Sequence, residues 1–470
     1  MLHNRTKERK NREVIIVLMR FSISNFMSFG YKTDEKGKIV PTEYHLYAGR
    51  SEQHKERVIN YKGRKVLKFS SIYGANASGK TNLIKAIDAG KEIVLNTMEA
   101  ASYHDKFCRS NESNASKPTL FEYEFTIEKK CFAYGFTVNV KDNIVLSEWL
   151  YEMKAEEEHV IFERLVENNQ YYFDENMFHQ KENREQFEFF IKDANRIHTT
   201  LLLYEIKRRE MEDEFEVFNK IFDWFKYKLI IIYPETKLGK SYLLFENDNK
   251  KLVNVLKYLD TGITDYNMRM MNEAAFKEYF FNEKVAERFL QKPDVDNTAN
   301  VKSILNFDNT LFELDYDETG VKKIAKLMFQ HGMDESKYEY GEESDGTKRL
   351  IELLHVILND DKDKVFIIDE LDRSLHPQMT IKFVETFLNL SENKTTQLII
   401  TTHESNLMDL NISRRDEIWF AEKEKDNSTN LYTLEKFKIR YDKVVAKDYL
   451  AGRYGAVPVF KDFEYVWGKE

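Results

Sequence analysis

The sequence predicts an α/β fold in which a core of parallel strands is interrupted by a long, mainly helical insertion. Three observations carry this prediction. Residues 66–87 read as a strand, a glycine-containing loop and a helix in direct succession. Residues 365–368 and 397–402 are near-continuous apolar runs, as expected for parallel strands covered on both faces. Between these regions, from about residue 153 to 330, the chain turns to long, charged, helix-like segments.

Local patterning sets the element order. Residues 20–26 alternate with period two, as a half-buried strand does. Residues 121–127, 132–138 and 144–151 are three further strands with short polar turns between them, and they predict an antiparallel meander. In the middle, Met211, Phe215, Phe218, Phe222 and Phe225 recur at steps of three and four, so they share one helical face. That stripe reads as helix packing rather than a cofactor box. Residues 229–233, ahead of Pro234, read as a short buried strand, and no heptad pattern persists long enough for a coiled-coil arm. Four segments follow: an N-terminal extension (1–18), a first core half (19–152), the insertion (153–330) and a second core half (331–470). The extension starts basic, with Arg5, Lys7, Arg9, Lys10 and Arg12, and runs into apolar residues 14–19. It is either an addition upstream of a start at Met19 or the first half of strand one.

Composition narrows the class. With 470 residues, 42% hydrophobic and 14% aromatic, the chain has the material for two or three domains and a large core. A net charge of −9 argues against a general polyanion binder, though a local basic patch such as Lys207-Arg208-Arg209 is compatible with it. Cys108 and Cys131 are too few for a metal or disulfide framework, which points to a reducing cytoplasm. No stretch approaches the roughly 18 apolar residues of a membrane span, so a soluble protein is expected.

The loop carries the chemistry. Residues 70–81, S-S-I-Y-G-A-N-A-S-G-K-T, fit the phosphate-binding pattern G-x-x-x-x-G-K-[ST] with Gly74, Gly79, Lys80 and Thr81 at its fixed positions. Glycine lets the loop curl so that backbone N–H groups face phosphate oxygens, and the helix that follows presents its positive end. Asn76, Ser78 and Asn82 complete the candidate contacts. Lys80 would reach the β- and γ-phosphates and Thr81 would sit on Mg²⁺. Downstream, the apolar strand 365–368 ends in Asp369 and Glu370, the pair expected to hold Mg²⁺ and to activate the attacking water. Strand 397–402 ends in His403, placed to contact the γ-phosphate or that water. Ser344, Asp345, Gly346 and Thr347 open an apolar helix and read, taken alone, as an N-cap.

In order, G-A-N-A-S-G-K-T, S-D-G-T-K-R, I-I-D-E-L-D-R-S-L-H-P and T-T-H-E resemble the Walker A loop, signature, Walker B with D-loop, and switch histidine of ABC and SMC ATPases. More narrowly the set resembles the AAA15 family of stand-alone SMC-like ATPases. That family includes abortive-infection proteins of the RloA and AbiLi type and is related to the ATPases of OLD, PARIS and Septu defences. Residues 21–29, 144–152, 416–423 and 449–458 are similar to it as well, so the resemblance spans roughly 19–155 and 335–465. It implies a P-loop ATPase head with a mixed central sheet and an antiparallel meander, interrupted by the insertion. It also implies a composite site, in which Ser344, Asp345 and Gly346 of one head meet the nucleotide of another, while Asp372 and Ser374 pass the state between sites. Two departures stand out: Asp345 occupies a position where many ABC proteins have glycine, and no glutamine answers to the Q-loop.

The expectation is therefore a cytoplasmic Mg-dependent ATPase that uses ATP, acts as sensor and scaffold in antiphage defence, and works as a homodimer or higher homo-oligomer. No H-N-H or zinc motif is present, so a toxic activity is expected from a separate, nuclease-like effector. A DNA-repair ATPase that binds DNA across paired heads is the alternative, with DNA or RNA left open as partners. A transport subunit is a third reading, which the long insertion disfavours.

Overall fold

The computed structural model describes residues 15–154, 157–236, 250–293, 301–318, 320–332, 336–358, 363–438 and 444–458. They belong to two compact units, one comprising 1–234, 361–371 and 388–470, the other 235–360 and 372–387. Each unit has its own core.

In chain order the first unit begins with β1 (Val17–Ser24), β2 (Thr42–His45), β3 (Val58–Tyr61), β4 (Arg64–Leu67) and β5 (Phe69–Tyr73), then α1 (Lys80–Leu95) and α2 (Met98–Ala101). Next come β6 (Thr119–Ile127), β7 (Lys130–Asn139), β8 (Ile144–Met153), β9 (Glu158–Leu165) and β10 (Gln170–Phe173). Helices α3 (Lys181–Ile197), α4 (Leu202–Arg208) and α5 (Glu216–Asp223) lead to β11 (Leu229–Ile232). The second unit supplies α6 (Lys250–Tyr258), β12 (Ile263–Met271), α7 (Glu273–Lys277), α8 (Glu283–Leu290), β13 (Val301–Phe307), β14 (Thr310–Asp317), β15 (Gly320–His331), β16 (Lys337–Glu339) and α9 (Asp345–Leu358). The chain closes with β17 (Val365–Ile368), α10 (Pro377–Leu390), β18 (Gln397–Thr401), β19 (Ile418–Lys423), β20 (Thr429–Thr433) and α11 (Val445–Leu450).

Two sheets organise the first unit. The central one has the order β11-β17-β18-β5-β19-β20, parallel from β11 through β19 and antiparallel only at β20. All residues of β5, β17 and β18 are buried, which explains why residues 365–368 and 397–402 read as near-continuous apolar runs. The other is a seven-stranded antiparallel sheet, β10-β9-β8-β7-β6-β1-β2. The fold is thus the mixed central sheet plus antiparallel meander that the sequence predicts. Val17 and Leu18 pair with Thr126 and Phe125 and are fully buried, so the first strand begins before Met19. Residues 1–14 of the expected extension lie outside the described residues.

The phenylalanine stripe packs as expected. Phe215, Phe218, Phe222 and Phe225 are buried, and α5 widens into a single π turn over Trp224–Lys228 that stacks Trp224 on Phe125 with ring centroids 4.2 Å apart. Under this layer lies a fully buried ion pair. Arg164 Nε donates to Glu148 Oε2 at 2.8 Å, the Tyr134 hydroxyl donates to Glu148 Oε1 at 2.7 Å, and the Leu202 N–H donates to the same carboxylate at 2.8 Å.

The middle of the chain departs from the mainly helical expectation. β9 and β10 extend the meander beyond residue 152, and β12-β15-β14-β13, with β16 on β15, form a sheet in the second unit, whereas β11 is the short strand expected at 229–233. Charge hid the strands of the second unit. Glu313 and Lys326 are buried within β14 and β15, where Lys323 pairs with Glu313 at 3.0 Å and Lys326 donates to Glu339 at 2.5 Å. Paired charges on an inner face erase the apolar–polar alternation by which a strand is recognised.

Candidate nucleotide site

β5 delivers the chain into the phosphate loop at the carboxyl end of a central parallel strand, the edge where α/β sheets hold ligands. Both loop glycines are required by space. A Cβ on Gly74 would lie 2.4 Å from Ser78 Oγ and 2.5 Å from the Ala421 carbonyl oxygen. Gly79 has φ +113°, and a Cβ there would lie 2.2 Å from Thr429 Oγ1. The Ser78 N–H donates to Ala75 O at 3.1 Å, and α1 then begins at Lys80 with no side chain capping its first turn. Its leading N–H groups are therefore left for an anion.

Lys80 is almost fully buried, and its ammonium bridges the loop, donating to Gly74 O at 2.8 Å and Ala75 O at 3.4 Å. Ser78 Oγ is buried with no hydrogen-bond partner, while Asn76 is exposed on the loop. Thr81 Oγ1 lies 3.3 Å from Asp369 Oδ1, which brings together two residues that the sequence separates by 288 positions. A tight glycine turn, a buried cation and a hydroxyl beside a carboxylate form a donor set that fits a nucleotide phosphate with Mg²⁺.

Asp369 and Glu370 follow β17 directly. The Asp369 carboxylate is nearly inaccessible and accepts the Thr401 hydroxyl at 2.6 Å, and the Asp369 N–H donates to Ile232 O at 2.9 Å. Thr401 also accepts the Glu370 N–H at 2.8 Å. Its one proton and one of its two lone pairs are thus committed to the neighbouring Asp369 and Glu370. Glu370 sits at φ +47°, a left-handed conformation that a glutamate rarely adopts. His403 is exposed two residues beyond β18, the strand between β17 and β5. The phosphate loop, the Asp369–Glu370 pair and His403 therefore follow three adjacent parallel strands of the first unit.

The remaining candidates lie in the second unit. Ser344 caps α9, accepting the Thr347 N–H at 3.1 Å, with its hydroxyl 2.9 Å from that of Thr347. Ser344 and Asp345 are exposed and Gly346 is half-buried. A Cβ on Gly346 would lie 2.9 Å from Ser374 O, so signature and D-loop approach each other closely here. Ser374 has φ +63°, and Asp372 O accepts the Leu375 N–H at 3.1 Å.

Sequence reasoning missed Thr401, Ser28, Thr429 and the Tyr233–Asp88 pair. Tyr233 follows β11 beside Walker B, and its hydroxyl donates at 2.9 Å to Asp88, whose pKa burial raises. Thr401 stands two residues before His403 and was legible as the end of that strand; Thr429 carries no local signal. The basic run Lys207-Arg208-Arg209 is tied up in ion pairs, with Asp223 at 3.0 Å, Glu205 at 2.7 Å and Asp193 at 2.6 Å. Among the described residues no helix is long and apolar enough to cross a membrane.

No curated protein matches the chain by sequence. Several solved SMC heads are similar to the chain. An SMC head bound to the C-terminal winged-helix domain of ScpA is 13% identical, covering 88% of this chain and 97% of its own, at a TM-score of 0.37. The SMC head of Thermotoga maritima is 13% identical, covering 90% and 99%, at 0.35. An SMC head with an extended coiled coil, bound to the C-terminal domain of ScpA from Pyrococcus furiosus, is 14% identical, covering 90% and 98%, at 0.31. The family described as "AAA domain, putative AbiEii toxin, Type IV TA system" matches residues 69–409, a span that contains the phosphate loop, Ser344–Gly346, Asp369–Glu370 and His403. The chain belongs to this family of AAA domains, and its fold is that of a P-loop ATPase.

Proposed function

We propose that this chain binds and hydrolyses Mg-ATP, and that nucleotide state gates its action as sensor and scaffold in defence against phage, of the RloA and AbiLi abortive-infection type. The observation that carries the enzymatic part is the convergence of buried Lys80 and Asp369 with half-buried Thr81 around a loop whose two glycines have no room for a side chain. Lys80 exchanges its loop carbonyls for the β- and γ-phosphates of ATP. Thr81 and Asp369 hold Mg²⁺, which when bound neutralises charge on the phosphate oxygens. Glu370, held in its left-handed conformation by Thr401, orients and deprotonates the attacking water, and His403 meets the γ-phosphate side. Loop N–H groups and the α1 terminus stabilise charge without reorganising.

Ser344 and Gly346 complete the site from a second copy of the chain, with Asp372 and Ser374 coupling the two sites. A separate effector acts on the nucleotide-closed form. The defence role is supported by the family description and by the motif set. The DNA-repair alternative loses support from the ion pairs that occupy the basic run at 207–209.

Phosphate release from Mg-ATP tests the enzymatic reading. Wild type should turn over, Lys80→Ala should bind or hydrolyse poorly, and Glu370→Gln should bind ATP without hydrolysing it. Turnover of Lys80→Ala at the wild-type rate would contradict the assignment.

A further inference from the structure

Two buried hydroxyls outside the nucleotide motifs hold the phosphate loop in shape. We propose that Ser28 and Thr429 are positioning residues for the nucleotide, fixing the orientation of the Ser78–Gly79 peptide. The proposal rests on the reading of residues 74–82 as the phosphate site.

Thr429 opens β20, and Ser28 follows β1, 401 residues away in sequence. Both are buried. Thr429 Oγ1 donates to Ser78 O at 2.8 Å and lies 2.8 Å from Ser28 Oγ. The Thr429 N–H donates to Ser28 O at 2.7 Å, and Asn82 Nδ2 donates to Ser28 Oγ at 2.9 Å.

A threonine hydroxyl has one proton, and a carbonyl oxygen only accepts. Thr429 Oγ1 is placed to donate to Ser78 O or to Ser28 Oγ, and Ser28 Oγ also accepts the Asn82 amide. With its proton on Ser78 O, Thr429 tethers that carbonyl.

The consequence falls on the backbone. In a planar trans peptide the C=O and the next N–H point in opposite directions. Tethering Ser78 O to Thr429 therefore turns the Gly79 N–H away from β20 and keeps it there. Gly79 is the loop's last residue before Lys80, and its N–H is among the donors that a phosphate would use. The approach is too close for any side chain, since a Cβ on Gly79 would lie 2.2 Å from Thr429 Oγ1 and 3.0 Å from Ser28 Oγ. The hairpin β19–β20 thus contributes to nucleotide affinity without touching the nucleotide.

The test uses the full chain and Mg-ADP titrated calorimetrically into wild type, Thr429→Val, Thr429→Ser, Ser28→Ala and Lys80→Ala. Valine keeps the shape of threonine and removes the hydroxyl. Losing a buried tether should weaken Mg-ADP binding about 5- to 30-fold in Thr429→Val, the range of one to two ordinary hydrogen bonds. Thr429→Ser should restore wild-type affinity. Ser28→Ala, which keeps the Ser78 tether but loses its orienting partner, should fall between the two.

If Lys80→Ala loses binding while Thr429→Val and Ser28→Ala bind as wild type does, the proposal is overturned and the site assignment stands. If Thr429→Ser is as weak as Thr429→Val, packing of the threonine methyl explains the effect and the proposal fails. If Lys80→Ala itself binds normally, the phosphate-site reading falls and takes the proposal with it. Should Thr429→Val not fold, Ser28→Ala decides: weakened binding supports the proposal and unchanged binding overturns it.

Discussion

Replacing Thr401 by valine removes two hydrogen bonds and leaves two Walker B groups without their partner. The hydroxyl donates to the buried Asp369 carboxylate at 2.6 Å and accepts the Glu370 N–H at 2.8 Å. A hydrogen bond to a charged group is worth about 1.5–3 kcal/mol, and stranding a backbone N–H costs about 1–3 kcal/mol when buried. Glu370 is only partly buried, so the second figure is taken near its lower end. The expected loss for Thr401→Val is roughly 2–4 kcal/mol of first-unit stability. Urea unfolding followed by tryptophan emission reads that unit, since Trp149, Trp224 and Trp419 all lie within it. The midpoint should fall in Thr401→Val and recover in Thr401→Ser. ATP turnover should fall in parallel, because the left-handed Glu370 backbone loses its anchor. A wild-type midpoint together with wild-type turnover in Thr401→Val would refute the reasoning.

Other perturbations probe the scaffold. Glu148→Ala leaves Arg164 buried without its carboxylate and strips the Leu202 N–H, so it should cost about 3–5 kcal/mol and lower the melting temperature strongly. Burial pushes the Glu417 carboxyl from 4.5 up to about 8, so the folded chain holds a proton there that the unfolded chain has released. Its stabilising share is complete below pH 4.5 and is lost as pH rises through 8, at roughly 1.4 kcal/mol per pH unit within that window. Glu417→Gln should therefore melt higher than wild type at pH 8 and close to it at pH 5, by calorimetry.

Wherever chemistry is encoded within a few consecutive residues, the site was legible before folding. The glycine spacing of residues 74–79, the apolar run into Asp369-Glu370 and the run into His403 each identify a strand end, and the sheet order sets those ends side by side. Thr429 was invisible because its role depends on a partner 401 residues away and on the backbone of Gly79. The strands β12–β15 were obscured for another reason. Their lysines and glutamates, such as Lys326 and Glu313, are neutralised inside the sheet, and the eye reads such residues as helix surface. Tyr233, which directly follows β11 beside β17 and donates to Asp88 of α1, carries no motif of its own and was invisible for the same reason as Thr429.

The central claim is that ATP, held at the phosphate loop, is completed by the signature of a second copy. The solution mass of Glu370→Gln, by light scattering with and without Mg-ATP, tests it most directly. The account predicts a nucleotide-dependent gain in mass that Ser344→Arg abolishes. A mass that stays constant when Mg-ATP is bound would contradict it.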